Sequence, residues 1–144
     1  MTSLPPLQPG AALPTVARCC DLVQAVRLAG ATENYQRVHF DHAHARRVGL
    51  RRAVVDSALL LAWFEGLVED TYGPTGRLRQ LHARFRRPVL LDESVRCEGT
   101  VEQAVQLADG WRVTLRLYLR DATGRARAEA TAVVELPAGS AAGG

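Results

Sequence analysis

The sequence predicts an α+β fold in which a curved antiparallel sheet wraps around a long central apolar helix. Three observations carry that prediction. Ala58-Leu-Leu-Leu-Ala-Trp-Phe64 is an almost uninterrupted apolar run inside a helix-length segment. From His82 onward the apolar period changes from helical to two, as half-buried antiparallel strands require. A helix too apolar for water and a sheet with one apolar face satisfy each other most economically when the sheet rolls around the helix.

Taken in order, residues 1–14 (MTSLPPLQPGAALP) are rich in Pro and small residues and read as an extended lead-in. Asp21 is placed to cap a short helix whose Leu22, Val23, Val26 and Leu28 keep one apolar face, with Gly30 placed to stop it. A polar loop holding Asn34 and His39 follows. Asp41 caps a second short helix, His42 to Val48, closed by Gly49. Asp56 or Ser57 caps the central helix, which runs to about Asp70 and ends before Gly73-Pro74. Its Leu59, Leu60, Leu61, Trp63, Phe64, Leu67 and Val68 call for cover on most sides.

His82 to Leu90 reads as a strand, with Pro88 marking an edge or an end. Val95, Cys97, Gly99 and Val101 alternate with polar residues, as do Trp111, Val113, Leu115, Leu117 and Leu119. Asp109-Gly110 and Asp121 to Gly124 are hairpin turn signals, and Ala126 to Leu136 supplies a last strand with an alanine-rich face. One domain, 15–137, is expected, followed by a flexible tail, 138–144. A sheet with a free edge is commonly paired across a two-fold axis, so a dimer is expected.

With 144 residues, 47% hydrophobic and 23% charged, the chain suits one domain able to bury about two-thirds of its unfolded surface. No apolar run is long enough to span a bilayer and the N-terminus carries no secretory pattern, so a cytoplasmic protein is expected. The net charge is +3, but every basic residue is Arg, scattered between Arg18 and Arg127 and interleaved with acids. That pattern does not form the basic run with interleaved aromatics that nucleic acid requires. Cys19, Cys20 and Cys97 are odd in number and lack a CxxC pair, which points to reduced thiols and no structural zinc.

The chemistry-bearing residues cluster between positions 33 and 57. His39 can exchange a proton near neutrality. Asn34 can orient a water by donating and accepting, yet a neutral amide is no general base. His39, Asp41, His42 and His44 hold metal-type donors, but on a loop leading into a helix they diverge around the axis, so no metal is expected. Arg84, Arg86 and Arg87 can meet phosphates or an acidic carrier through their guanidinium forks.

On these residues the chain resembles the MaoC-like group of (R)-specific enoyl-thioester hydratases and dehydratases, which have the hotdog fold. The family loop reads Asp-x-Asn-Pro-x-His-x-Asp; here Asn34, Tyr35, Gln36, Arg37, Val38, His39, Phe40 and Asp41 stand in those places. His82-Ala-Arg-Phe-Arg-Arg-Pro-Val89 and Glu98-Gly-Thr-Val101 extend the match. The resemblance implies hydration or dehydration of an acyl thioester, with coenzyme A or phosphopantetheine as part of the substrate and no separate cofactor. It implies His39 as acid/base, with Glu33 or Asp41 as possible helpers, and the Ser57 amide aimed at the thioester oxygen. Asn34 departs from the family's catalytic Asp, Asp56 replaces a His, and Ser57 replaces a Gly. The acid that a related dehydratase subgroup carries on the central helix is Ala62 here. The chain is also similar to the small chains of heteromeric steroid-side-chain enoyl-CoA hydratases. That likeness implies a second possibility, a non-catalytic subunit partnered by another hotdog chain. A cyclisation on the same scaffold is the third.

Overall fold

The computed structural model describes residues 4–140. Met1 to Ser3 of the lead-in and residues 141–144 of the expected tail lie outside the described residues. The elements are β1 (Val16–Arg18), α1 (Leu22–Thr32), a 3-10 turn (Arg37–His39), α2 (His42–Arg47), α3 (Ser57–Tyr72), β2 (Arg77–Phe85), β3 (Val95–Leu107), β4 (Gly110–Arg120) and β5 (Ala126–Pro137), with a second 3-10 turn at Gly73–Thr75. The strands form one antiparallel sheet in the order β1-β3-β4-β5-β2.

The alternation in β3, β4 and β5 sets one sheet face. Val95, Cys97, Val101, Val113, Leu115, Leu117, Leu119, Ala128, Ala130, Ala132 and Val134 are buried and make the core with Leu60, Phe64, Leu67 and Val68 of α3. The opposite face carries cross-strand ion pairs, Arg79–Glu135–Arg112, Arg116–Glu102 and Arg120–Glu98. Such exposed pairs hold register more than they add stability. In the β3–β4 hairpin a Cβ at Gly110 would sit 1.9 Å from the Leu136 carbonyl oxygen, so only glycine lets that turn approach β5. A helix lying along a five-stranded antiparallel sheet is the expected α+β hotdog arrangement.

Several expectations need correction. The lead-in is extended but not loose. Gly10 and Leu13 donate to the Val101 and Gly99 carbonyls, Val101 donates to Ala11, and Leu13 is buried. β1 has no counterpart in the sequence reading, because three residues show no period. Helix α1 runs through Gly30 to Thr32 and stops where Glu33 turns left-handed, at φ 54°. Its buried face is Ala25 and Ala29, whereas Leu22, Val23 and Val26 are exposed. β2 begins at Arg77, not His82, and ends at Phe85 before Pro88; an irregularity between Leu78 and Gln80 blurs its alternation. The cover on α3 is one-sided, since Ala58, Ala62, Glu65 and Glu69 form an exposed stripe. No described helix is long and apolar enough to cross a membrane.

Candidate functional site

The site is built where the loop after α1 meets the start of α3. Asp56 caps α3 because its extended backbone (φ −62°, ψ 137°) lets Oδ1 accept from the Ala58 amide at 2.9 Å. Leu59 and Leu60 donate to the Asp56 carbonyl. Of the first four amides of the helix region, that of Ser57 has no part in this cap.

The segment before the helix is clamped against residues 89–91. Val55 donates to Val89, Leu91 donates to Ala53, and Val54 bridges Leu90. The clamp fixes Val54, which donates to the Val38 carbonyl and leaves its own carbonyl 3.0 Å from His39 Nδ1. A carbonyl can only accept, so Nδ1 carries the proton and Nε2 of the neutral ring is the free, basic nitrogen. Nε2 lies 3.7 Å from Asp56 Oδ2, and the same oxygen accepts from Asn34 Nδ2 at 2.7 Å. The His39 and Asp56 side chains are only 16% and 12% exposed, so this cluster is largely withdrawn from bulk water.

Two hollows meet at His39. One, of about 10 Å³, is lined by Asn34, His39, Asp56, Cys20 and by Ala25, Leu28 and Ala29 of α1. That is about the volume of one water. The other, an open groove of about 330 Å³, is lined by His39, Val54, Ser57, Leu60 and the segment Phe85 to Val89. Burial raises the Cys20 thiol to about 11, with the charge of Asp21 adding to it, so this sulfur stays protonated and is no nucleophile. A larger hollow of about 630 Å³ lies at the far end of β2, between Arg77, Trp111 and Arg112. It is open, and Glu135 already holds Arg79 and Arg112 there, so the proton-transfer groups favour the His39 end.

The structure thus brings together Asn34, His39, Asp56 and Ser57. Arg86 and Arg87 reach the groove wall, although Arg86 also pairs with Glu129. Arg84 does not: it lines a separate hollow with His82, Arg116 and Glu129. Asp41 lines neither cavity. Its Oδ1 caps α2 through the His44 amide at 2.9 Å and its Oδ2 meets Arg37, contacts that hold its carboxyl at about 2. Glu33 serves as the C-cap of α1. His42 Nδ1 accepts from the Ala53 amide at 3.2 Å.

Three contributors escape sequence reasoning. The Val54 carbonyl sets the imidazole tautomer, and Phe85 supplies an apolar side to the groove. Arg127 reaches Asp121, Glu93 and the Pro88 carbonyl, and its own carbonyl accepts from Arg86 and Arg87, so it ties the groove wall to β5. A lone Arg in a strand gives no sign of such a task. The only hint is that Asp121, which it meets, opens a turn with three further hydrogen bonds.

Known proteins are similar to the chain in fold and along most of its length. A family model described as MaoC like domain matches residues 8–119. The (R)-hydratase from A. caviae involved in PHA biosynthesis is 23% identical, with a TM-score of 0.82 over 91% of this chain and 98% of that one. The ChsH1-ChsH2 complex from Mycobacterium tuberculosis gives 24% identity and a TM-score of 0.77 over 90% and 98%. The C-terminally truncated HadBC (3R-hydroxyacyl-ACP dehydratase) complex from the same organism gives 14% and 0.70 over 88% and 96%. No curated protein matches the chain.

Proposed function

The chain belongs to the MaoC-like domain family, and on that premise we propose that it adds water across the α,β double bond of an acyl thioester, or removes it. One juxtaposition carries the reading: His39, whose Nδ1 is held by the Val54 carbonyl, and Ser57, the first residue of α3, line the same groove. In the hydration direction His39 Nε2 takes a proton from water as the oxygen bonds to the β-carbon. The π electrons move toward the thioester carbonyl, whose oxygen gains negative charge. A backbone N–H at a helix start suits that charge, and Ser57 supplies it. Nε2 then returns the proton to the α-carbon. Asn34 acts as orienter, and the apolar side of the groove at Leu60 and Phe85 receives acyl carbons.

The substrate is carried on coenzyme A or phosphopantetheine, with Arg86 and Arg87 placed to meet phosphate. Arg84, on its separate hollow, is a weaker contact for a carrier. No further cofactor or metal enters this scheme, and the cytoplasm is the proposed location. The groove is open and β2 is an edge strand with Phe85 45% exposed. Both support a homodimer, or a pairing with another hotdog chain, that covers the groove.

Hydration of a short and a bulky enoyl-CoA by the purified protein, followed by loss of enoyl absorbance, tests the reading. His39→Ala is expected to cost about 10²–10⁴-fold. A rate indifferent to that change removes His39 from the chemistry. The second reading, a non-catalytic subunit of a heteromeric hydratase, is favoured by the amide at position 34, where the family has an acid. An active homodimer purified from the native host without a second hotdog chain argues against it.

A further inference from the structure

Two of the three departures from the family pattern, an amide at 34 and an acid at 56, meet in one hydrogen bond. Asn34 Nδ2 donates to Asp56 Oδ2 at 2.7 Å, and that oxygen lies 3.7 Å from His39 Nε2. The carboxylate absent from the loop is therefore present in the site, reached from the other side. We propose that Asp56 is a catalytic residue that supplies, from the N-cap of α3, the negative charge that position 34 lacks. The assignment rests on the hydration reading above and names a residue for it.

The geometry gives Asp56 a specific task. Nε2 of the neutral ring and Oδ2 are both acceptors, so they do not bond directly. Their 3.7 Å separation, beside a water-sized hollow that both line, suits a water that donates one hydrogen to each. Held this way, the water presents its oxygen lone pairs. One O–H bond breaks toward Nε2 as the C–O bond forms, and the ring becomes an imidazolium. The ionised Asp56 beside it stabilises that cation without taking the proton, as a buried carboxylate does for a catalytic imidazole. The ring then gives the proton to the α-carbon and returns to neutral, with no net charge left on the protein. Asn34 is a positioning residue: its donated N–H fixes Oδ2.

The sequence offers an unusually clean test, because Asn caps a helix about as well as Asp. Asp56→Asn keeps the cap of α3 through Oδ1 and replaces Oδ2 by an amide nitrogen, which removes the charge. Turning the Asn34 amide so that its oxygen accepts meets that nitrogen, so circular-dichroism melting is expected to stay close to the parent. Crotonyl-CoA and a bulky enoyl-CoA serve as probes. Asp56→Asn is expected to lose about 10²–10⁴-fold in kcat/KM. Asn34→Asp alone is expected to give no gain, since two carboxylates 2.7 Å apart share a proton. The double variant Asn34→Asp/Asp56→Asn restores one acid and one amide in exchanged places, and it is expected to recover at least tenfold of the loss. An Asp56→Asn rate equal to wild type, a gain in Asn34→Asp alone, or no recovery in the double variant overturns the assignment and leaves hydration standing. Absence of turnover by the wild type on both thioesters, alone and with a co-purified partner, overturns the hydration reading and the assignment with it.

Discussion

Ser57→Pro removes one hydrogen-bond donor from the candidate site and almost nothing else. Ser57 is the first residue of α3, and proline is favoured at that position because its ring fixes a helical φ and the missing N–H was outside the helix ladder. The residue before a proline must be extended, and Asp56 already is, at φ −62° and ψ 137°. The cap is untouched, because Asp56 Oδ1 bonds the amide of Ala58. What is lost is the backbone N–H of Ser57, a residue that lines the groove with His39. Removing one donor to a developing oxyanion costs about 10²–10³-fold in kcat, or roughly 3–4 kcal/mol of transition-state stabilisation. The assay is steady-state hydration of an enoyl-CoA, run beside Ser57→Ala, which keeps the amide and is expected to stay within a few-fold of wild type. Thermal melts of all three proteins confirm that the helix is intact. A Ser57→Pro enzyme as fast as Ser57→Ala refutes the oxyanion role.

Two predictions concern stability. The Tyr72 hydroxyl is buried without a hydrogen-bond partner among the described residues, so Tyr72→Phe is expected to be neutral or to stabilise by about 1 kcal/mol at neutral pH. Burial pushes the phenol from 10 up to about 12, which favours the protonated form in the folded state. Wild-type stability therefore falls as pH rises from about 10 to 12, and the advantage of Phe grows over that window by a few kcal/mol at most; urea titrations in which Tyr72→Phe is clearly weaker at pH 7 contradict this. Asp41 behaves oppositely, since the His44 amide and then Arg37 lower its carboxyl from 3.8 to about 2. Its stabilisation is complete above about pH 4 and lost as pH falls toward 2, so Asp41→Asn, which keeps the cap, is expected to melt at a temperature less dependent on pH across that interval. Parallel wild-type and variant curves there rule the effect out.

The parts of the fold that were legible are those where one physical signal dominates. Alternation in Trp111 to Arg120 predicts β4, and Asp41 and Asp56 mark helix starts because capping chemistry is local. In α1 the apolar face that Leu22, Val23 and Val26 suggest is not the face the fold buries. Ala25 and Ala29 are the helix's buried residues and Leu28 is half-buried, all three lining the small hollow, whereas Leu22, Val23 and Val26 are exposed. β1 and the paired lead-in depend on hydrogen bonds to β3, which leave no periodic trace in short segments. The same limit applies to the site. His39 and Ser57 were readable from the loop and the helix start, whereas the Asn34–Asp56 contact joins residues 22 positions apart and exists only after folding. Arg84, grouped with Arg86 and Arg87 by sequence, is separated from them because it lies within β2, which ends at Phe85, whereas Arg86 and Arg87 follow the strand and line the groove with Pro88 and Val89.

The seating of α1 on two methyl groups has a consequence for how the protein could be retuned. A helix that fully buries only two alanines and half-buries Leu28 hides little oil, so moving it outward uncovers few greasy atoms and leaves the pairing of β3, β4 and β5 in place. Exchanging Ala25 or Ala29 for something bulkier or smaller resizes the chamber behind the imidazole much as a washer sets the gap in a valve. New substrates can be tried at that joint while the slab of strands that keeps the molecule folded stays as it is.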